Sequence, residues 1–205
     1  MQIRPEDNTP FLDVLFISHL IFLSLFYVSY LLIRPIVDKK ADIETKAEYV
    51  ITVTWPLNSP NDVDTWLKIP TGDIIWYQDK ESGLSHLDRD DIGSMKDEIT
   101  SPTGKTIVYP YNQEITTIRQ HVPGEWILNI HMYNYRLQVP TEVTVRMDKL
   151  NPHTETILLE KIILNQSWQE KTVARFTMGE SAILDWDFNF PARLVETKKS
   201  QQEGP

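Results

Sequence analysis

Two different periods of hydrophobicity divide this chain. Residues 11–33 read FLDVLFISHLIFLSLFYVSYLLI, an almost unbroken apolar run. At about 1.5 Å per helical residue, such a run crosses a hydrocarbon core of roughly 30 Å. Thr9 and Pro10 stand where a helix cap and a first-turn proline belong, and Arg34 with Pro35 supplies the stop. Tyr27 and Tyr30 suit the interfacial belt at the far end. The pattern predicts a short tail over residues 1–10 and a transmembrane helix over 11–33. Residues 34–48 are charged, have no sustained apolar face, and read as a linker.

From residue 49 the period changes to two. β-Branched, alternating segments recur at 49–55, 65–69, 73–77, 105–109, 113–119, 125–133, 141–147, 156–164, 171–177 and 182–188. The second and third of these flank a Pro-Thr-Gly turn at residues 70–72 and read as a hairpin. Residues 79–105 are polar and acidic and read as a long loop region. Many short strands separated by Pro and Gly predict an antiparallel β-sandwich, of jelly-roll or Ig-like type, over residues 49–192. Trp55, Trp66, Trp76 and Trp126 alternate with apolar strand residues and are expected in its core. The polar tail 193–205 reads as disordered. The fold class is therefore a single transmembrane α-helix followed by an all-β antiparallel sandwich.

Composition narrows the function. The net charge of −9 over 205 residues disfavours nucleic acid as a partner. The chain has no cysteine, so neither disulfides nor thiolate metal sites arise. No phosphate loop, nucleophile elbow or HExxH helix appears, and no enzyme is expected. The apolar run is too long for the core of a signal peptide, carries Asp13, and is followed by no small-x-small cleavage pattern. It reads as a retained anchor.

Asp13 is the most informative residue of that anchor. A carboxylate in a membrane helix costs roughly 2.5 kcal/mol or more, so it faces protein or water rather than lipid. A carboxyl that is neutral in apolar surroundings and charged against water can carry a proton. It can equally hydrogen-bond a neighbouring helix as assembly glue. At 100° per residue Asp13 shares a stripe with Phe16, Ile17, Leu20 and Ser24, while His19 lies about 120° away. Asp13, His19 and Ser24 are the candidate ion-transfer residues.

The stretch Asn8-Thr9-Pro10-Phe11-Leu12-Asp13-Val14-Leu15-Phe16 resembles the opening of the membrane helix in the ExbD/TolR family, in which a Thr-Pro motif precedes two apolar residues and Asp-Val. The resemblance covers about 25 residues. It implies a subunit of a proton-driven inner-membrane motor, related to the MotA–MotB stators. Two copies would sit inside a pentamer of a multi-span MotA/ExbB-like partner. Asp13 would take up and release the translocated proton. The resemblance places the N-terminus in the cytoplasm and the sandwich in the periplasm, acting on a load there. The count of basic residues points the other way, with Arg4 on one side of the run against Arg34, Lys39, Lys40 and Lys46 on the other. The resemblance takes precedence, because that mechanism needs Asp13 near the cytoplasmic end. The soluble part and His19 depart from the family pattern.

Within the sandwich, Asp62 and Asp64 stand two apart, and Asp88, Asp90 and Asp91 follow downstream. Hard oxygen ligands on flexible acidic segments suit Ca²⁺, though the spacing is not that of an EF-hand. With Asp-x-Asp-x-Trp, Asp-Asp-x-Gly and Pro-Gly-Glu-Trp, residues 50–147 loosely resemble TerD-like and YfaP-like β-sandwich domains, some of which bind calcium through paired aspartates. The five aspartates are the candidate metal ligands. The bland reading is that they solvate and cap turns. The alternative function is an anchored β-sandwich binding module for calcium or an envelope ligand, without ion conduction.

Overall fold

The computed structural model describes residues 9–32, 46–83, 85–95 and 97–203. The expected tail over 1–10 and linker over 34–48 lie largely outside these residues. The chain divides into two units, with the boundary between Glu44 and Thr45. In the first, helix α1 runs over Thr9–Leu32, close to the span that the apolar run predicts. It is long and apolar enough to cross a membrane.

The sheets of the second unit are antiparallel, with thirteen strands among the described residues. They are β1 (Tyr49–Trp55), β2 (Asp62–Lys68), β3 (Ile74–Ile75), β4 (Glu81–Ser82), β5 (Ser85–Arg89), β6 (Glu98–Thr100), β7 (Thr106–Val108), β8 (Asn112–Ile118), β9 (Gly124–Asn134), β10 (Thr141–Lys149), β11 (Glu155–Leu164), β12 (Glu170–Met178) and β13 (Ile183–Asp187). One sheet has the order β11-β10-β1-β8-β5-β4, the other β13-β12-β9-β2-β3, and β6 with β7 forms a separate ribbon. Tyr49, Ile51 and Val53 of β1 meet Val63 and Leu67 of β2 and Leu128, Ile130 and Met132 of β9 in one buried cluster. The two sheets are thus the halves of a sandwich, each contributing the inward positions of its alternating strands. Trp55, Trp66, Trp76 and Trp126 are all buried, as the alternation predicts.

The predicted hairpin forms, with Leu67 opposite Ile75 and Lys68 opposite Ile74. Gly72 closes its turn at φ +96°, donating its N–H to the Ile69 carbonyl. The expected loop over 79–105 instead contains β4, β5 and β6. Strand β5 has a single apolar anchor, Leu87, and its pairing with β8 stabilises what its own pattern does not announce.

Residues 194–203 form helix α2 (Leu194–Glu203), where the composition predicts disorder. The difference is tertiary. Leu194 is only 2% exposed, in a second apolar cluster with Trp66, Ile74, Trp76 and Ile127 on the other face of the second sheet. Glu170 of β12 accepts hydrogen bonds from the Leu194 N–H at 2.7 Å and the Val195 N–H at 3.3 Å. The helix N-terminus is therefore capped by a carboxylate from a distant strand. The sheet also reaches back into the expected linker, for Glu48 donates to Ile118 and accepts from Leu150.

The segment after β5 is held tightly. Gly93 has φ +73°, and a Cβ there would lie 2.4 Å from the Asn61 carbonyl oxygen and 2.8 Å from that of Ser59. Gly93→Ala is expected to destabilise the sandwich by about 2 kcal/mol or more, because neither backbone segment can yield. Denaturant titration followed by tryptophan fluorescence checks this; an unchanged midpoint would refute it.

Candidate functional site

Strand β2 positions the site by what it leaves open. Its partner on one side is β9, with Asp64 opposite His131 and Thr65 opposite Ile130. On the other side β3 pairs only with Leu67 and Lys68, so the first half of β2 has no strand neighbour there among the described residues. Glu114 of β8, from the opposite sheet, fills that edge. Its Oε2 accepts the Thr65 N–H at 2.5 Å. Alternate residues of β8 are buried, and Glu114 is 0% exposed.

Asp64 and Asp90 complete the arrangement. One carboxylate oxygen from each of Asp64, Asp90 and Glu114 lies within 4.8 Å of the others. Asp64 is 4% exposed, and its Oδ2 lies 3.4 Å from His131 Nδ1. Asp90, in the segment after β5, pairs with Lys80 at 2.8 Å. The Glu114 Oε1 atom is buried and has no hydrogen-bond partner; the same holds for Thr65 Oγ1 and His131 Nε2.

The electrostatics follow from this crowding. Burial, followed by repulsion from Asp64, pushes the Glu114 carboxyl well above the usual carboxylate range. Burial also raises Asp64, against the hydrogen bond and charge of His131. Asp62 is raised to about 7, first by burial and then by Asp64, with Arg136 opposing.

Of the five aspartates expected as ligands, the structure brings Asp64 and Asp90 together and engages the rest elsewhere. Asp62 lies 3.6 Å from Arg136. Arg136 in turn donates to the Pro60 and Ile92 carbonyls. Asp91 organises the backbone, accepting from Arg89 Nη2 at 2.8 Å, the Gly93 N–H at 3.0 Å and the Gln113 N–H at 3.2 Å. Asp88 accepts from Thr117 and lies near His86 and Arg119. Glu114 is the member the sequence reading misses. In NQEITTI the two isoleucines stand three apart, on opposite faces of a strand. Ile118 is fully buried and shares the Glu114 face. Ile115 points the alternation the other way, so no period marks Glu114 as inward.

Beside this centre, Trp66, Trp76, Tyr77, His131, Tyr133 and Trp168 line a recess of about 240 Å³. His131 belongs to both, touching Asp64 on one side and the recess on the other.

The expected ion-transfer residues lie on α1, in the other unit. Asp13 is its fifth residue. Six residues separate it from His19 and eleven from Ser24, roughly 9 and 16 Å along a helix axis. A single helix therefore cannot assemble the three into one site. Ser24 Oγ donates to the Ile21 carbonyl at 2.8 Å, as Ser18 does to Leu15. That bond satisfies the hydroxyl proton within the helix and leaves only its lone pairs for a partner.

Fold and site together define a chain whose described residues hold a membrane-length helix and an all-β sandwich with a buried acidic centre. No family model, curated protein or solved structure matches it.

Proposed function

We propose that this chain is the ion-translocating subunit of a proton-driven membrane motor, anchored by α1 and acting through its sandwich. The observation that carries the reading is Asp13, the one acidic residue of a 24-residue apolar helix, behind the Thr9-Pro10 opening that resembles ExbD and TolR. A carboxylate so placed needs a protein partner to offset its desolvation. In this reading two copies of the chain sit within a multi-span pentamer, which supplies the missing surroundings. Asp13 takes up a proton from one side and releases it to the other. The membrane potential contributes about 2.3 kcal/mol per elementary charge per 100 mV, enough to bias a conformational step. The N-terminus is cytoplasmic and the sandwich periplasmic. Strand β11, ten residues long at the edge of the six-stranded sheet, offers an unpaired edge on which two sandwiches can associate.

The acidic centre favours a second reading, an anchored binding module in which Asp13 only pairs with another helix. Affinity purification of the full chain from its native membrane, followed by native mass spectrometry, tests between them. The motor reading expects a complex of two copies with five of a multi-span protein. Recovery of the chain without any multi-span partner would overturn it.

A further inference from the structure

The interior of the sandwich carries an inference that does not depend on Asp13. We infer that Asp64, Asp90 and Glu114 form a divalent-cation site of calcium type, bridging the two sheets at the open edge of β2.

The first observation is convergence. Three carboxylate oxygens from β2, from β8 and from the segment after β5 lie within 4.8 Å of one another. These three segments are distant in sequence and belong to both sheets and a connecting loop. The second observation is the unpartnered oxygen. Glu114 is wholly buried, one of its carboxylate oxygens is committed to the Thr65 N–H, and the other has no hydrogen-bond partner. A buried acceptor without a donor is costly, and buried polar groups are almost always satisfied. A cation beside Asp64 and Asp90 supplies what that oxygen lacks.

The identity of the cation follows from the ligand set. All three ligands are hard oxygens, with no thiolate, which disfavours soft metals. A spacing of up to 4.8 Å is about twice a calcium–oxygen distance of roughly 2.4 Å. Magnesium demands near-ideal octahedral geometry and gives up its waters reluctantly, so a carboxylate set held inside a sandwich suits it less. The positive groups already present do not do the same work. Among the described residues Lys80 reaches only Asp90, and its side chain is 44% exposed, so it can swing away as the cation arrives. His131 faces Asp64, and Arg136 and Arg89 are engaged by Asp62 and Asp91. Water completes the shell from the Asp90 side, the one partly exposed corner. The bound ion ties β2 to β8 and fixes the segment that Gly93 wedges against residues 59–61. The cation thereby acts as a cross-link between the sheets.

The test is calcium titration of the full-length chain in detergent after chelator dialysis, read by isothermal calorimetry and by the unfolding midpoint. Wild type is expected to bind one Ca²⁺ per chain, with a dissociation constant of roughly 10⁻⁵ to 10⁻³ M and weaker binding of Mg²⁺. Glu114→Gln keeps the side chain's shape and its acceptor for Thr65, yet is expected to weaken calcium at least about tenfold. Asp90→Asn, at a more exposed position, gives the same loss without the risk of misfolding the interior. Asp88→Asn removes a nearby surface carboxylate and is expected to leave the affinity unchanged. No calcium binding by folded wild type, or affinity indifferent to both Glu114→Gln and Asp90→Asn, would overturn the site.

Discussion

With divalent cations chelated, raising the pH from 5 to 8 is expected to cost the sandwich stability on the order of 3 kcal/mol. The sign follows from which state holds the proton. Asp62 titrates near 7 in the folded chain, against an ordinary value of 3.8. Between those values the folded state keeps a proton that the unfolded state has lost, so stability falls as pH rises through 7. A difference of about three pKa units corresponds to on the order of 3–4 kcal/mol for a buried group. The groups facing Asp62 are Asp64, Asp90 and Asp91, which repel its charge, and Arg136, which attracts it. Burial drives Asp64 and Glu114 in the same direction. Asp73 shifts oppositely, held low by the Ser82 and Thr71 hydroxyls, but its contribution is complete by about pH 5. Denaturant titrations of the full chain at pH 5 and pH 8 measure the effect. Asp62→Asn is expected to flatten much of it. A stability that is constant or rising over this interval would contradict the electrostatics described for β2.

Asp13→Asn is expected to leave the helix inserted and the sandwich folded while removing ion flux. Asparagine matches aspartate in shape and can still hydrogen-bond a neighbouring helix, but it cannot exchange a proton near neutral pH. The substitution therefore separates carrier from glue. If Asp13 only joins helices, asparagine serves nearly as well, because interhelical hydrogen bonds between uncharged side chains contribute about 0.6 kcal/mol each on average. If it carries the proton, flux falls to background while assembly persists. Asp13→Glu keeps the titratable group on a longer arm and is expected to retain a reduced flux. His19 lies on another stripe, roughly 9 Å along the axis, and His19→Gln is expected to act mildly by comparison.

The strands were legible where period two was clean. Tyr49–Trp55 matches its predicted span residue for residue, because β1 is central, pairs with β8 and β10, and buries alternate side chains against a single core. Where the pattern is polar, pairing decides instead. Asp62, Val63 and Asp64 look like a loop in sequence but extend β2 against β9. Ser85 and His86 belong to a strand because β8 and β4 lie on either side of them. The helix α2 depends on Glu170 for its cap and on Trp66 and Ile127 for its apolar contact, none of which is local to the tail. The acidic centre shows the same limit. Its aspartates stand out as short acidic motifs, whereas Glu114 sits alone in a threonine-rich strand. Only the pairing of β8 with β1, which sets Glu114 opposite Val53, turns it inward.

The most direct measurement is proton flux through proteoliposomes containing the chain with its co-purified multi-span partner, under an imposed membrane potential. Wild type is expected to carry a measurable proton current, and Asp13→Asn none above background at equal subunit content. Equal currents from the two complexes, or no current from either, would contradict the assignment of Asp13 as the carrier.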